Sequence, residues 1–161
     1  MKIRLKIYAF ILIFPFSVLI GDEIEEIKVI GSYIGSKNSD ISTQVISESD
    51  FNNLNISTVG EISKYLASTS GSHFQSNTLD GVDQGMSAIT LRGLDHASTL
   101  VLINKKRQTF AGTPSHEGEG YIDVNIIPEI TLKRIEILKE GATSIYGSDA
   151  VAGVINFINQ D

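Results

Sequence analysis

The sequence predicts a small α+β domain with a mixed β-sheet and short helices. Three observations support this fold class. Apolar residues alternate or run continuously in short segments, as in strands, at 43–46, 87–92, 99–103, 134–138 and 154–158. Two Ser/Thr-x-x-acidic sequences precede short apolar-periodic stretches, as at helix starts. The chain of 161 residues contains no cysteine, so a buried core rather than disulfides must hold it together.

The first 21 residues are predicted to be a signal peptide and not part of the fold. Lys2, Arg4 and Lys6 precede an uncharged apolar stretch at 7–20. That stretch is too short to cross about 30 Å of hydrocarbon, and it has the length of a signal-peptide core. Gly21 is an acceptable final residue. Removing three positive charges lowers the net charge from −6 to −9, which argues against a nucleic-acid partner.

Two further regions follow the signal peptide. Residues 22–41 contain an acidic, loosely alternating segment and a polar linker, which we interpret as mobile. Residues 42–161 form one predicted domain, because the length suits a single core and no internal repeat is present. The absence of cysteine excludes thiolate metal sites and thiol catalysis.

The first half of the domain contains one strand and two helix starts. A strand at 43–46 leads into a capping box at 47–50, which opens a short helix towards Leu54. A second box at 58–61 opens a helix whose apolar face carries Val59, Ile62 and Leu66. Gly71 is the predicted stop. A long polar loop at 68–87 follows, and loops of this length are often functional or disordered.

The second half is predicted to contain the other strands. In the strand at 87–92, Ile89 and Leu91 point to one side, and the apolar run 99–103 suits a central strand. A turn at Asn104-Lys105 returns the chain into 106–108. The remaining elements are a second polar loop at 109–120, a helical turn with Pro128 at its first position, a strand at 134–138, a helical turn after Gly141 and a strand at 154–158.

One family has these motifs in the same order. Ile89-Thr-Leu-Arg-Gly93, Thr99-Leu-Val-Leu-Ile-Asn104 and Ile127-Pro-Glu-Ile are followed by Arg134-Ile-Glu-Ile-Leu-Lys139. The run from Tyr146 to Asn156 matches almost verbatim. The chain resembles the plug domain of TonB-dependent outer-membrane receptors over most of its length after the signal peptide. The resemblance implies a domain that closes a transporter pore.

The resemblance assigns a partner to the N-terminal segment. Glu25 to Ser32 resembles a TonB box, whose residues here are Glu26, Ile27, Lys28, Val29, Ile30 and Gly31. Ile27 and Val29 lie on one side of an extended segment, which suits strand addition to the sheet edge of a partner. The resemblance implies that this partner is the TonB protein of the inner membrane. The alternative is a frayed N-terminal strand without a partner.

Two basic residues and four glycines have predicted roles. As the resemblance implies, Arg92 and Lys139 face acidic side chains of the surrounding barrel wall; alternatively, both are solvated strand-end residues. Gly93, Gly141, Gly147 and Gly153 are expected at turns that need positive φ or close chain approach. Lys105 departs from the family, which usually has glycine there. A lysine at positive φ costs about 1 kcal/mol unless the turn type differs.

The polar loops contain candidate ligand contacts. As the resemblance implies, these loops lie together at the outer, ligand-binding side, where His73, His96 and His116 would converge. Imidazole is a common ligand of haem iron and transition metals, but each histidine could equally be an ordinary loop residue. We predict no bound metal or cofactor. The other candidates, by loop position only, are Phe74, Gln75, Asp95, Phe110 and Tyr121.

The sequence predicts no enzyme. It has no nucleophile elbow, P-loop or metalloprotease motif, and no histidine is assigned near Ser148 and Asp149. The resemblance implies gating and energy coupling in the uptake of an iron chelate, vitamin, metal complex or oligosaccharide. The expected location is the outer membrane.

The chain length departs from the family. A plugged barrel has about 22 strands, and none are present after residue 161. We therefore expect a truncated receptor. The alternative is a stand-alone periplasmic module that binds a ligand or TonB without transport.

Overall fold

The computed structural model describes residues 43–72, 74, 85–115 and 118–160. The predicted signal peptide at 1–21, the segment at 22–41, and His73, Gln75 and His116 lie outside these ranges. Within them, none of the helices has the length and apolar character needed to span a bilayer.

Among the described residues, five strands form one mixed sheet, and a mixed sheet with short helices is the fold class that the sequence predicts. They are β1 (Thr43–Ser47), β2 (Thr99–Ile103), β3 (Lys106–Arg107), β4 (Leu132–Leu138) and β5 (Gly153–Asn159). Their order across the sheet is β1-β4-β5-β2-β3. The β2–β5 pair is parallel and the other pairs are antiparallel. Because β5 lies between β4 and β2, the C-terminal strand ties the first and second halves of the domain together.

Both faces of the sheet are covered. The larger cluster contains Ile135, Ile137, Ile155 and Phe157, and the chain between β1 and β2 packs over it through residues such as Ile62. On the opposite face, one smaller cluster joins the sheet to the connection between β4 and β5; its buried members are Leu100, Leu102, Leu138, Ala142, Ala150 and Val154. Burial on both faces explains why β2 is a continuous apolar run.

The first predicted helix forms, and the second does not form as an α-helix. The first, α1 (Glu48–Leu54), begins at the capping box, where the Asp50 carboxylate accepts a hydrogen bond from the Ser47 N–H at 2.8 Å. The second predicted helix is instead a 3₁₀ turn, Val59–Lys64. Its capping contact is displaced by one residue, because the Glu61 carboxylate accepts from the N–H of Ser57 at 2.7 Å. A short α2 (Thr143–Tyr146) follows β4.

The predicted strand at 87–92 does not form, and only an isolated bridge is present at Ala88. Residues 86–91 are buried, and side-chain hydroxyl oxygens accept two of the backbone N–H groups of this segment. The N–H of Thr90 donates to Ser72 Oγ at 2.9 Å, and the N–H of Leu91 donates to Thr99 Oγ1 at 3.0 Å. Two hydroxyl groups therefore bind backbone donors that a partner strand would bind in a regular sheet.

Two predicted turns, at Asn104-Lys105 and at Pro128, are present in the structure. Asn104 and Lys105 have φ values of 49° and 66°, which is the type I′ hairpin geometry that connects β2 to β3. Lys105 thus occupies the left-handed region in which a glycine would be unstrained. Pro128 precedes the 3₁₀ turn Glu129–Thr131 as its N-cap, one position earlier than predicted.

Candidate functional site

Arg92 joins two segments that are far apart in sequence. It has a φ of 60°, and Gly93 follows at 67°. Its N–H donates to the Ser68 carbonyl oxygen at 2.8 Å. Its guanidinium donates to the carbonyl oxygens of Val151, at 2.6 Å, and Ala152, at 3.1 Å. Although Arg92 is exposed, it therefore differs from the solvated strand-end residue without a partner that was the alternative prediction.

A second arginine holds the same region from another side. Arg107 on β3 forms an ion pair with Asp149 at 2.5 Å, and its guanidinium also donates to the carbonyl oxygen of Tyr146. Residues 139–152, which we call the β4–β5 connection, are thus held by Arg92 at one end and Arg107 in the middle. No local sequence pattern signals the Arg107 contacts, because Arg107 and Asp149 are separated by more than forty residues.

The β4–β5 connection is compact because its backbone bonds are internal or directed to the neighbouring turn. The N–H of Ala142 donates to the Ala150 carbonyl oxygen at 2.9 Å, and the N–H of Ala152 donates to the Ser98 carbonyl oxygen at 2.8 Å. Gly147 has a φ of 85°. At Gly141, a Cβ atom would lie 3.0 Å from the Val151 carbonyl oxygen, so the close approach of the two ends favours glycine there.

Gly153 begins β5 at the tightest point of this region. Its φ is 142°, which side-chain-bearing residues rarely adopt. A Cβ atom there would collide with the Leu138 carbonyl oxygen and lie 2.8 Å from Leu91 Cδ1. This glycine allows β4, β5 and the buried segment 86–91 to meet.

Lys139 lies at the start of the β4–β5 connection and is half-buried. Within the described ranges no acidic side chain pairs with it. Lys139 therefore lacks the acidic partner within these ranges that Arg107 has in Asp149.

The exposed candidate ligand residues lie beside the β4–β5 connection. Asp95 is exposed and precedes the 3₁₀ turn His96–Ser98, in which His96 is half-buried. Phe110 is exposed and packs on Gly120, where a Cβ atom would lie 2.9 Å from its ring. A cavity of about 250 Å³ brings Phe110 next to Arg107 and Asp149. The structure thus links a predicted ligand residue to an ion pair that sequence reasoning missed.

Two other candidates belong to the interior. Phe74 is buried, and the Lys64 Nζ atom lies 3.9 Å from the centroid of its ring. Tyr121 is buried against Met86 and Ala88. Their aromatic rings therefore serve packing, and sequence position alone could not separate them from the exposed Phe110. The described residues contain no group of three or more His, Asp or Glu side chains able to hold a metal ion.

A buried polar network crosses the sheet next to this region. Glu136 lies opposite Ile135 and Ile137, as predicted for the polar face of β4, but it is 0% exposed. Its carboxylate accepts hydrogen bonds from Arg134 Nε at 2.9 Å and from Asn156 Nδ2 at 3.2 Å. The Asn156 side-chain oxygen accepts from the N–H of Lys105 at 2.9 Å. The network connects β4 and β5 to the β2–β3 turn, and the partners satisfy the buried charge.

The comparison with protein families covers most of the chain. The model of the TonB-dependent receptor plug domain matches residues 36–154. Over 73 residues, the chain is 38% identical to the iron-regulated outer membrane virulence protein of Vibrio cholerae serotype O1. That match covers 45% of this chain and 11% of the relative, so the chain corresponds to a small part of the relative's length.

Solved structures contain the same fold. The siderophore receptor PirA from Acinetobacter baumannii matches with a TM-score of 0.54 and 27% identity, over 74% of this chain and 17% of that chain. A ferric enterobactin receptor, PfeA, from Pseudomonas aeruginosa matches with a TM-score of 0.55 and 23% identity, over 78% of this chain and 18% of that chain. The mixed sheet, the order of its motifs and the family match agree with one another. The chain belongs to the family of TonB-dependent receptor plug domains.

Proposed function

We propose that this domain is the gate of a TonB-dependent outer-membrane receptor that takes up a ferric siderophore or a related iron complex. The family match over residues 36–154 carries the proposal. The iron complex is proposed because relatives are described as an iron-regulated outer membrane virulence protein and as a siderophore receptor. In this proposal the receptor's barrel surrounds the plug, and TonB supplies energy from the inner membrane.

The β4–β5 connection suits the part of a gate that responds to ligand. The exposed Asp95 and the half-buried His96 lie beside it. The exposed Phe110 shares a cavity with Arg107 and Asp149. A ligand that contacts Phe110 would disturb the neighbouring ion pair, in which Arg107 Nη1 lies 2.5 Å from Asp149 Oδ2. Because Arg107 also binds the Tyr146 carbonyl oxygen, loss of this ion pair would loosen the middle of the connection.

Lys139 and the exposed part of Arg92 are the proposed contacts to the barrel wall. A charge that becomes buried without a partner costs several kcal/mol, so an acidic residue of the wall opposite Lys139 would hold the plug in place. The guanidinium of Arg92 already binds Val151 and Ala152. It would therefore transmit a contact with the wall directly into the β4–β5 connection.

The TonB box at 26–31 is the proposed point at which force enters. Ile27 and Val29 alternate along it, which favours addition as a strand to the sheet of TonB. The test is calorimetric titration of the chain without its predicted signal peptide with the purified periplasmic domain of TonB. Binding is expected for the native sequence. It should be lost in Val29→Pro, which removes a main-chain donor, and retained in the linker control Ser39→Pro. Equal binding by both variants would contradict the assignment of the box.

The location and size of the native product test the gate itself. An antibody against residues 42–161 should detect a band several times larger than 17.5 kDa in the outer membrane. A soluble periplasmic band near that mass would overturn the transport proposal for this product and favour a stand-alone module. Uptake of radiolabelled ferric enterobactin and haem, with and without the gene, then tests the iron-complex assignment.

A further inference from the structure

The cavity beside β3 combines a buried apolar lining with an exposed rim. It has a volume of about 250 Å³. Leu100 and Ile122 line it and are buried, whereas Thr109 and Phe110 line it and are exposed. An apolar cavity of about 150 Å³ holds a benzene molecule, and pockets for larger organic ligands have about 300–1,000 Å³. This cavity therefore has the size for one ring and not for a larger ligand.

The aromatic ring at the rim is held in place while it is half in solvent. Phe110 is 52% exposed. Its ring lies against Gly120, where a Cβ atom would be 2.9 Å from the ring atoms Cγ and Cδ2. The N–H of the next residue, Ala111, donates to the carbonyl oxygen of Tyr121 at 2.8 Å. The backbone thus fixes both sides of this contact, and the ring offers an aromatic surface on which a second ring can stack.

The two charged side chains that line the cavity neutralise each other. Arg107 Nη1 lies 2.5 Å from Asp149 Oδ2, and the guanidinium also donates to the carbonyl oxygen of Tyr146. A charged ligand would have to replace one of these partners or lose its hydration without a counter-charge, whereas an uncharged ring has neither cost. A planar guanidinium also stacks on aromatic faces. The lining therefore favours an uncharged aromatic ring over a charged group or a saturated ring.

We propose that this cavity binds one uncharged aromatic ring of a small molecule, with Phe110 as the stacking surface and Gly120 as the residue that sets its position. The inference rests on the proposed function only in placing the cavity on the ligand-responsive side of the gate. It goes further by naming the chemistry that this side recognises. A ring stacked on the Arg107 guanidinium would shift it relative to Asp149, so occupancy of the cavity would reach the β4–β5 connection.

Three probes of similar size test the chemistry. The isotope-labelled chain without its predicted signal peptide is titrated with phenol, cyclohexanol and benzoate, and its amide signals are followed by NMR. Phenol is uncharged at neutral pH, cyclohexanol has no aromatic ring and benzoate carries a charge. Phenol should bind with a Kd of about millimolar, because so few atoms gain little affinity, and roughly threefold or more tightly than either other probe. Equal affinity for phenol and cyclohexanol would overturn the proposal.

Substitutions of exposed residues test the location. Phe110→Ala should weaken phenol binding by about two- to tenfold. Gly120→Ala should weaken it too, because the added methyl group moves the ring; Gly120 has no positive φ, so its backbone accepts alanine. The matched control is Tyr65→Ala, since Tyr65 is also 52% exposed but lines a different groove beside β1. Unchanged binding in Phe110→Ala, or a loss only in Tyr65→Ala, would overturn the site.

The charge balance of the lining has its own test. Asp149→Asn leaves the Arg107 guanidinium without its carboxylate, so the preference should shift several-fold from phenol towards benzoate. Asp95→Asn is the matched control, because Asp95 is exposed nearby and does not line the cavity. It should preserve the preference for phenol. An unchanged ratio of the two Kd values in Asp149→Asn would overturn the assignment of an uncharged ring.

The outcomes separate this inference from the proposed function. The titrations contain no TonB, barrel or iron complex. Absence of saturable phenol binding at the cavity would therefore overturn this site and leave the gate proposal untouched. A native product found only as a soluble periplasmic protein would overturn transport and leave the binding of phenol to this chain unchanged.

Discussion

The Nε atom of Arg92 donates a hydrogen bond to the carbonyl oxygen of Ala152, sixty residues later in the chain, at 3.1 Å. The same guanidinium reaches the preceding carbonyl oxygen, that of Val151. One side chain therefore satisfies two backbone acceptors at the end of the β4–β5 connection. It fixes the point at which the chain enters β5, so the geometry of the connection depends on a residue outside it.

Arg92→Ala should lower the free energy of unfolding by about 2 kcal/mol, because it leaves two carbonyl oxygens without their charged donor. Arg92→Lys should recover less than half of the loss, since an ammonium group lacks the planar fork that reaches both acceptors. Urea denaturation measures both variants. Lys139→Ala is the control and should change stability by less than about 0.5 kcal/mol. A similar loss in both alanine variants would show that Arg92 acts only as a surface charge.

Substitution of Glu136 should lower the free energy of unfolding by more than the loss of one hydrogen bond, because its carboxylate binds two donors in a buried network. Glu136→Ala leaves the Arg134 and Asn156 donors unpaired in the sheet and should cost about 3 kcal/mol. Glu136→Gln retains the shape and one acceptor and should cost less. Glu129→Gln, on the exposed turn before β4, is the matched control. A double-mutant cycle with Asn156→Ala measures the coupling, and strict additivity would contradict a connected network.

Gly153→Ala should be strongly destabilising, by more than about 2 kcal/mol, because a Cβ atom would meet Leu91 Cδ1 and the Leu138 backbone. Gly112→Ala is the control, since a Cβ atom at Gly112 has no neighbour within 4 Å. Thermal unfolding of the two variants provides the comparison. A small effect at Gly153 would mean that β4 and β5 can move apart at this end without loss of packing.

Lys105→Gly should stabilise the chain by about 0.5–1 kcal/mol, because glycine removes the strain at a φ of 66° but adds entropy to the unfolded chain. The N–H that binds Asn156 belongs to the backbone, so the substitution retains it. Lys106→Gly, at the neighbouring strand position, should instead be destabilising. Chemical denaturation distinguishes the two, and a loss of stability in both would show that the Lys105 side chain contributes more than its strain costs.

Stability should fall at acidic pH partly through Asp50. Hydrogen bonds from the Ser47 N–H and then from the Ser47 hydroxyl lower the pKa of this carboxyl below its ordinary value. The unfolded chain has the ordinary pKa, so this stabilisation is complete above that value and is lost as the pH falls through the lowered pKa of the folded state. NMR titration of the Asp50 carboxyl carbon should show the lowered midpoint. Ser47→Ala should raise it only in part, because the backbone donor remains. An unchanged midpoint in Ser47→Ala would exclude a contribution from the hydroxyl.

The sequence predicted the strands and the first capping box because these depend on local pattern. The apolar run of β2 and the Ser47–Asp50 spacing each define their element without reference to distant residues. The prediction of a strand at 87–92 was wrong, because forming a strand also depends on a partner that is distant in sequence. Alternation indicates an extended backbone but does not identify its partner. Here the N–H groups of Thr90 and Leu91 bind the hydroxyls of Ser72 and Thr99 and not a neighbouring strand.

The candidate site depended more on tertiary contacts than the fold did. The alternating pattern of β4 places Glu136 on the polar face, where a solvated side chain is expected. Only the packing of the β4–β5 connection and the contact with Asn156 reveal that Glu136 is buried. Family resemblance selected Arg92, but its carbonyl acceptors come from a segment that no local pattern associates with it. Arg107 was missed because nothing in a two-residue strand signals an ion pair with Asp149.

The position of β1 at the edge of the sheet determines the order in which the domain would come apart under mechanical load. Thr43 pairs with Leu138 and Ser47 pairs with Arg134, so tension applied through the N-terminus reaches the Thr43–Leu138 pair before any other part of the sheet. Detaching β1 breaks one ladder and leaves the ladders of β4 with β5 and of β5 with β2 in place. The domain can therefore yield in a first, small mechanical step while the rest of its sheet keeps its shape.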